Sequence, residues 1–353
     1  MGALIPLRDD LGLGEGYHSP QVAVDVRLNT NESPYPPPAA WRDDLREMVA
    51  TIPFHRYPDR SASALREGLA ELHDVRADQV FVGNGSNEVL QALCLAFGGP
   101  GRRAAVFEPT YALHSHISRV TGTDVVEAER NADFTLDMAA VGRVLDEAAP
   151  ELTFLCSPNN PTGRVEPEAV VREVVERAPG LTVVDEAYGQ FATWSALALV
   201  ADDSPVVVVR TFSKTWSRAA TRLGYVIAPA SVVEGLERVI LPYHLDAVKQ
   251  AAGRLALRYR SEMEARVKAL VDERQRVAAA LATLPVETWP SEANFILFRP
   301  ATRPGGEVWQ ALVERSVLVR DCSTWPRLDG CLRVTIGTPE EDDAFLAALS
   351  EVL

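Results

Sequence analysis

Between Val80 and Ile227 the chain repeats one pattern, a short apolar run followed by a stretch with helical spacing. The runs are Val80 to Val82, Ala104 to Phe107, Asp124 to Val126, Leu152 to Cys156, Leu181 to Val184, Val206 to Arg210 and Leu223 to Ile227. Each suits a buried strand and is too short for a buried helix. Glu88 to Phe97 and Glu168 to Arg177 are among the helix-like stretches between them. Alternation of this kind restricts the fold to the α/β class, a mostly parallel sheet covered by helices. Open sheets of that class bind ligands outside the carboxyl ends of their strands. Chemistry is therefore expected just past each run.

The flanking regions follow other rules. Residues 18–40 are rich in Pro, Asn and Ser, with Pro34, Pro36, Pro37 and Pro38 crowded together, which predicts an extended arm. From His244 to about Leu284 the chain is rich in Ala, Leu, Arg and Glu and free of Pro. It reads as one long helix connecting two domains. Asn294 to Phe298, Val317 to Arg320 and Leu332 to Ile336 read as strands, with helices at Val308 to Glu314 and Glu340 to Val352. That is a smaller α+β domain. At 353 residues the chain exceeds what one core usually fills. The expected division is 1–50 for the arm and part of the small domain, 51–250 for the large domain, and 251–353 for the connecting helix and C-terminal small domain.

Charge and cysteine content narrow the function. Lysine plus arginine minus aspartate plus glutamate gives 35 − 49 = −14, which argues against nucleic acid or anionic membrane as the main partner. A few local arginines can still bind an anionic substrate. The N-terminus lacks a basic region followed by an apolar core, and no apolar stretch has membrane-spanning length. The four scattered cysteines fit a reducing cytoplasm, and a Cys322–Cys331 disulfide is not expected. His114 and His116 are too few for a metal site.

Four segments past the apolar runs carry chemistry. Lys214, in Thr211-Phe212-Ser213-Lys214, follows Val206 to Val209, and Arg222 stands eight residues on. An amine there could hold an aldehyde cofactor while its neighbours hold a phosphate. Taken alone, the segment fits a surface lysine better. Gly83-Asn84-Gly85-Ser86-Asn87-Glu88 places backbone N–H groups at a helix start, a ready anion site. A plain strand-to-helix turn fits as well. Glu88 stands where a dinucleotide fingerprint has its third glycine, which argues against a nicotinamide dehydrogenase. Asn160-Pro161-Thr162-Gly163 suits a β-turn, and Asn160 could also donate to a phenolate oxygen. Asp185 ends an apolar run, where a carboxylate could hold a proton on a pyridine nitrogen or simply cap a helix. Tyr188, three residues on, could reach the oxygen of the same ring.

Asn160-Pro-Thr-Gly, Asp185-x-x-Tyr188, Ser213-Lys214 and Arg222 resemble, in order and spacing, the pyridoxal-phosphate aminotransferases of fold type I. Leu28-Asn29-Thr30-Asn31-Glu32, Arg56-Tyr57-Pro58-Asp59, Pro109-Thr110-Tyr111, Asn294-Phe295-Ile296-Leu297 and Leu332-Arg333-Val334-Thr335-Ile336-Gly337-Thr338 narrow the resemblance to the histidinol-phosphate aminotransferase family. It runs from about Tyr17 to the C-terminus. It implies a large domain with a seven-stranded sheet, a small domain, pyridoxal 5′-phosphate as cofactor, and a homodimer with shared active sites. Lys214 would carry the cofactor and move a proton. Gly85, Ser86, Asn87, Thr211, Ser213 and Arg222 would hold its phosphate, with Tyr57 reaching the phosphate of the partner subunit. Tyr111 would stack on the ring, Asn160 and Tyr188 would contact its phenolic oxygen, and Asp185 would pair with its nitrogen. Tyr17, Asn31, Arg320 and Arg333 would bind substrate, the arginines because a guanidinium fork suits both carboxylate and phosphate.

The implied reaction moves the amino group of L-histidinol phosphate to 2-oxoglutarate. An aromatic amino-acid aminotransferase, a threonine-phosphate decarboxylase and a non-catalytic pyridoxal-phosphate sensor are the alternatives. The sensor normally needs a DNA-binding domain that the sequence does not suggest. Two departures from the family pattern stand out. Asn87 replaces an aspartate, and Trp216-Ser217-Arg218 intervenes where Ala, Gly and Leu are usual.

Overall fold

A computed structural model of the chain describes residues 22–353. In chain order the N-terminal part comprises β1 (Val26–Leu28), α1 (Ala39–Ala50) and α2 (Ser63–His73). The alternating region follows as β2 (Val80–Gly83), α3 (Ser86–Phe97), β3 (Arg103–Glu108), α4 (Leu113–Val120), β4 (Asp124–Glu129), α5 (Met138–Ala148), β5 (Leu152–Cys156), α6 (Glu168–Arg177), β6 (Leu181–Asp185), β7 (Val206–Thr211) and β8 (Gly224–Ile227). Then come α7 (Ala230–Val239), α8 (Ala247–Leu257), α9 (Arg260–Leu281), β9 (Val286–Thr288), β10 (Phe295–Pro300), α10 (Gly305–Glu314), β11 (Val317–Asp321), β12 (Leu332–Thr335) and α11 (Pro339–Val352).

All seven apolar runs enter one sheet, in the order β2-β8-β7-β6-β5-β3-β4. Neighbours from β7 to β4 pair in parallel, whereas β8 runs antiparallel to both β7 and β2. The four valines of β7 explain why its run is continuously apolar. Side chains alternate across a strand. Val207 and Val209 pack with Leu90 of α3 and Leu236 of α7, while Val206 and Val208 pack with Leu145 of α5 and Val174 of α6. A strand covered on both faces has no place for a polar alternation.

The second sheet has the order β1-β11-β12-β10-β9. Its first strand comes from the arm, with Val26 opposite Val317 in a parallel pair. Phe295, Phe298, Val319 and Val334 bury their side chains against Leu270 and Val277 of α9 and Phe345 and Leu349 of α11. The three-residue strands β1 and β9 carry too little pattern to be read from sequence.

The connecting helix is a finding against expectation. Residues 244–284 form two helices, not one, broken at Arg258-Tyr259. The N–H groups of Arg258 and Tyr259 bond to carbonyls three residues back, at 3.2 and 2.9 Å, which tightens and ends α8. Tyr259 Oη then donates to Asp44 Oδ2 at 2.9 Å. A tertiary contact with the N-terminal region thus accompanies the break, and neither Pro nor Gly marks it. All four cysteines carry free, buried thiols. Among the described residues, no helix is long and apolar enough to cross a membrane.

The start of α11 yields a pH prediction. Thr338 and Glu341 form a capping box, with N–H···O distances of 3.3 and 2.8 Å. Next to it Asp342 is completely buried, and its Oδ1 accepts the Gly337 N–H at 3.0 Å. Burial, reinforced by Glu273 of α9, pushes its carboxyl up from 3.8 to about 8. Between those values the folded chain keeps a proton that the unfolded chain has released. Stability therefore falls as pH rises from about 4 to about 8. Asp342→Asn removes this penalty without changing shape. Its melting temperature is expected to exceed that of wild type at pH 8, with the gap closing toward pH 4. A gap independent of pH would contradict the assignment.

Candidate active site

The carboxyl ends of β5, β6 and β7, the start of α3 and the arm after β1 converge on a cavity of about 240 Å³. It is lined by Ser86, Asn87, Tyr111, Asn160, Asp185, Tyr188, Thr211, Ser213, Lys214 and Arg222, with Asn31 from the arm and Arg333 from β12. A larger open groove, about 800 Å³, lies beside β4 and α5 and contains none of them.

One end of the cavity is built for an anion. Gly85 caps α3 at φ +81°, and a Cβ there would come within 2.8 Å of Arg222 Nη2. Gly224 of β8 lets the same turn approach closely, since its Cβ would meet the Ser86 nitrogen at 2.2 Å. Glu88, in place of a third glycine, accepts from the Asn84 N–H at 2.6 Å and so closes the turn. Thr211 Oγ1 lies 3.0 Å from Ser213 Oγ, which in turn accepts from Arg222 Nη1 at 3.4 Å. Helix N–H groups, hydroxyls and a guanidinium therefore face one point, where negative charge is favoured.

The other end carries a carboxylate. Asp185 closes β6, with Oδ1 accepting the Ala187 N–H and Oδ2 accepting from His114 Nε2, both at 3.0 Å. His114 is buried and stacks on Phe154, with ring centroids 4.9 Å apart. In the sequence His114, with His116, is too little for a metal site and carries no other expected role. Its signal was present: it lies one helical turn past Tyr111, and Tyr111 meets its ring edge-on at 5.4 Å. Tyr111 Oη donates to Asn87 Oδ1 at 3.2 Å. The amide at position 87 supplies the acceptor oxygen that an aspartate would supply.

Lys214 lies between these ends. Its Nζ donates to the Thr30 carbonyl at 3.0 Å and lies 5.7 Å from the Tyr188 ring centre. Burial lowers its pKa from 10.5 to about 7, and the charges of Arg333 and Arg222 act in the same direction, against Glu32. Thr30 and Glu32 belong to the arm motif, but no role for them was read from sequence.

Arg320 and Arg333 stand directly opposite each other on β11 and β12. Like charges so placed repel. Arg333 donates to Asn160 Oδ1 and, at 3.0 Å, to the Asn29 carbonyl. The Arg320 guanidinium lies 5.6 Å from the Trp325 ring centre and does not line the cavity. Asn31, expected at the substrate, turns its amide to Tyr188 Oη at 2.9 Å and to Thr335 Oγ1 at 3.0 Å. Tyr57 is exposed outside the cavity and stacks on Tyr243 at 4.5 Å. Tyr17 lies outside the described residues. Trp216 packs on Phe212 in the core, and the Arg218 guanidinium lies 3.5 Å from the Trp41 ring centre, so neither lines the cavity.

A lysine beyond the carboxyl edge of this sheet, between an anion cradle and a carboxylate, defines the class as the fold type I pyridoxal-phosphate enzymes. Residues 23–349 match the family described as aminotransferase class I and II. Histidinol-phosphate aminotransferases of Corynebacterium efficiens and Nocardia farcinica are 44% and 46% identical, over 99% and 97% of this chain and 95% and 90% of theirs. Among solved structures, the histidinol-phosphate aminotransferase of Clostridium acetobutylicum shares the fold at TM-score 0.86 and 20% identity, covering 93% of this chain and 98% of its own. That of Sinorhizobium meliloti, in complex with pyridoxal-5′-phosphate, does so at 0.83 and 22%, covering 94% and 91%. The chain belongs to the class I and II aminotransferases and, within them, to the histidinol-phosphate aminotransferase family.

The depressed Lys214 amine is directly measurable. In cofactor-free protein, competitive acylation across pH is expected to give Lys214 a midpoint near 7, with exposed lysines titrating near 10.4. A Lys214 midpoint in the ordinary lysine range would contradict the geometry's effect.

Proposed function

We propose that this protein transfers the amino group of L-histidinol phosphate to 2-oxoglutarate, giving imidazole-acetol phosphate and L-glutamate, with pyridoxal 5′-phosphate as cofactor. The observation that carries the substrate reading is 44% identity to a named histidinol-phosphate aminotransferase over nearly the whole chain, and Arg333 in the cavity wall supports it. Two amino donors must share the site. Glutamate presents an α-carboxylate and histidinol phosphate a phosphate ester, and guanidinium forks serve both.

The residues fit the cofactor. The cradle around Gly85 that a Cβ would fill suits its phosphate, held by Ser86, Asn87, Thr211, Ser213 and Arg222. Asp185 suits the pyridine nitrogen, because a carboxylate has acceptor capacity left beyond His114 and the Ala187 N–H. Asn160 and Tyr188 are placed to donate to the phenolic oxygen, and Tyr111 to lie against the ring. When bound, the cofactor supplies an electron sink for the pair left at the amine-bearing carbon as its proton departs. Lys214 Nζ, able to be neutral near pH 7, is the base that takes that proton. Asp185 keeps a proton at the pyridine nitrogen, with His114 fixing its orientation. Arg333 aligns Asn160 and, from the cavity wall, would hold the anionic end of the substrate.

The assembly we infer is a homodimer in the cytoplasm, with Tyr57 reaching the cofactor phosphate of the partner subunit. Phe54, Tyr57 and Leu241 are 69%, 80% and 75% exposed in the single chain, and covering such side chains favours association.

Two experiments test the reading. Turnover with 2-oxoglutarate should give histidinol phosphate a kcat/KM at least tenfold above phenylalanine, tyrosine and threonine phosphate, about 1.4 kcal/mol of discrimination. Preference for an aromatic amino acid would overturn the substrate assignment. Gly85→Ala, strained at positive φ and crowding Arg222, is expected to weaken cofactor affinity about tenfold or more. Unchanged affinity by equilibrium dialysis would remove the cradle from its role.

A further inference from the structure

We infer that Thr335 and Asn31 form a hydrogen-bond chain of fixed direction that compels Tyr188 to donate its hydroxyl proton into the cofactor cavity. The inference rests on the proposed pyridoxal-phosphate reading and deepens it. It makes Asn31 a positioning residue, in place of the substrate contact expected from sequence.

The direction follows from counting donors. The Asn31 backbone N–H donates to Thr335 Oγ1 at 2.9 Å. That hydroxyl in turn donates to Asn31 Oδ1 at 3.0 Å. With its oxygen engaged, the amide turns Nδ2 to Tyr188 Oη, at 2.9 Å. The opposite amide orientation would place Nδ2 against Thr335 Oγ1 and leave the threonine proton without the Asn31 Oδ1 acceptor. Tyr188 therefore accepts from Asn31, and its one proton must go elsewhere. The cavity is the remaining direction, since Tyr188 lines it and no hydrogen bond from Tyr188 to a described residue is formed there.

The chain is shielded from bulk solvent. Asn31, Thr335 and Tyr188 are all buried. Asn31 sits in the left-handed region at φ 55°, which asparagine tolerates better than most residues, and its carbonyl accepts from Asn294 Nδ2 at 3.2 Å. Burial also pushes the Tyr188 phenol up, so it stays a neutral donor through the physiological range. The chain crosses between the two sheets, because Thr335 ends β12 while Tyr188 follows β6. Displacing β12 from the arm would release the Asn31 amide and let Tyr188 donate back to it.

A donor aimed at the cofactor's phenolic oxygen favours its anionic form. Losing that donor raises the pH midpoint of the bound cofactor's visible band. Tyr188→Phe should raise the midpoint by about one pH unit or more, the scale of a hydrogen bond to a charged group. Thr335→Val, which frees the amide, and Asn31→Asp, which only accepts, should each raise it as well. Thr335→Ser should restore the wild-type value. In a Tyr188→Phe background neither Thr335→Val nor Asn31→Asp should add a further shift. A normal midpoint in both of those variants, with Tyr188→Phe shifted, would overturn the chain while leaving the cofactor reading intact. Equal shifts with and without the Tyr188 hydroxyl would overturn it too. No shift in Tyr188→Phe would overturn both the chain and the role of Tyr188.

Discussion

The structure depends on keeping one amine, Lys214, close to neutrality inside a protein. Partial exclusion of water does most of this, and Arg333 and Arg222 add to it. Most of the groups acting on Lys214 serve that end. The carbonyl of Thr30 fixes the amine without stabilising its charge as a carboxylate would. Glu32, an acidic group that acts on it, works against the effect and does not cancel it. A surface lysine would stay charged and inert as a base.

The two sheets divide the work. The large sheet supplies the anion cradle, Lys214 and Asp185 at or just past the ends of β2, β7 and β6. The small sheet supplies Arg320, Arg333 and Thr335 from two adjacent strands. Through Asn160 and Asn31, residues of β12 reach back to groups at the carboxyl edge of the large sheet. Substrate recognition and the orientation of cofactor-facing donors thus share one strand. Movement of the small sheet would be felt at both.

Much of this was legible in the sequence because strand periodicity and turn residues are local signals. The seven apolar runs formed the seven strands of one sheet, and the residues after them line the cavity. The groups that could not be read are those whose role comes from tertiary contact. His114 faces Asp185 because two helix–strand units lie side by side. Asn31 belonged to a recognised motif, yet its partner Thr335 lies 304 residues away. The break between α8 and α9 carries no Gly or Pro, because a reach from Tyr259 to Asp44 accompanies it. Tyr57 shows the reverse case: the sequence proposes a partner across a subunit boundary, and the single chain leaves its ring exposed.

The central claim is that Lys214 is the residue that holds the cofactor. Reduction of the holoenzyme with borohydride, followed by proteolysis and mass mapping, tests it most directly. The account predicts that the pyridoxyl mass appears on the peptide containing Lys214, at close to one per chain. Labelling of another lysine, or none at all in a protein that carries the cofactor, would contradict it.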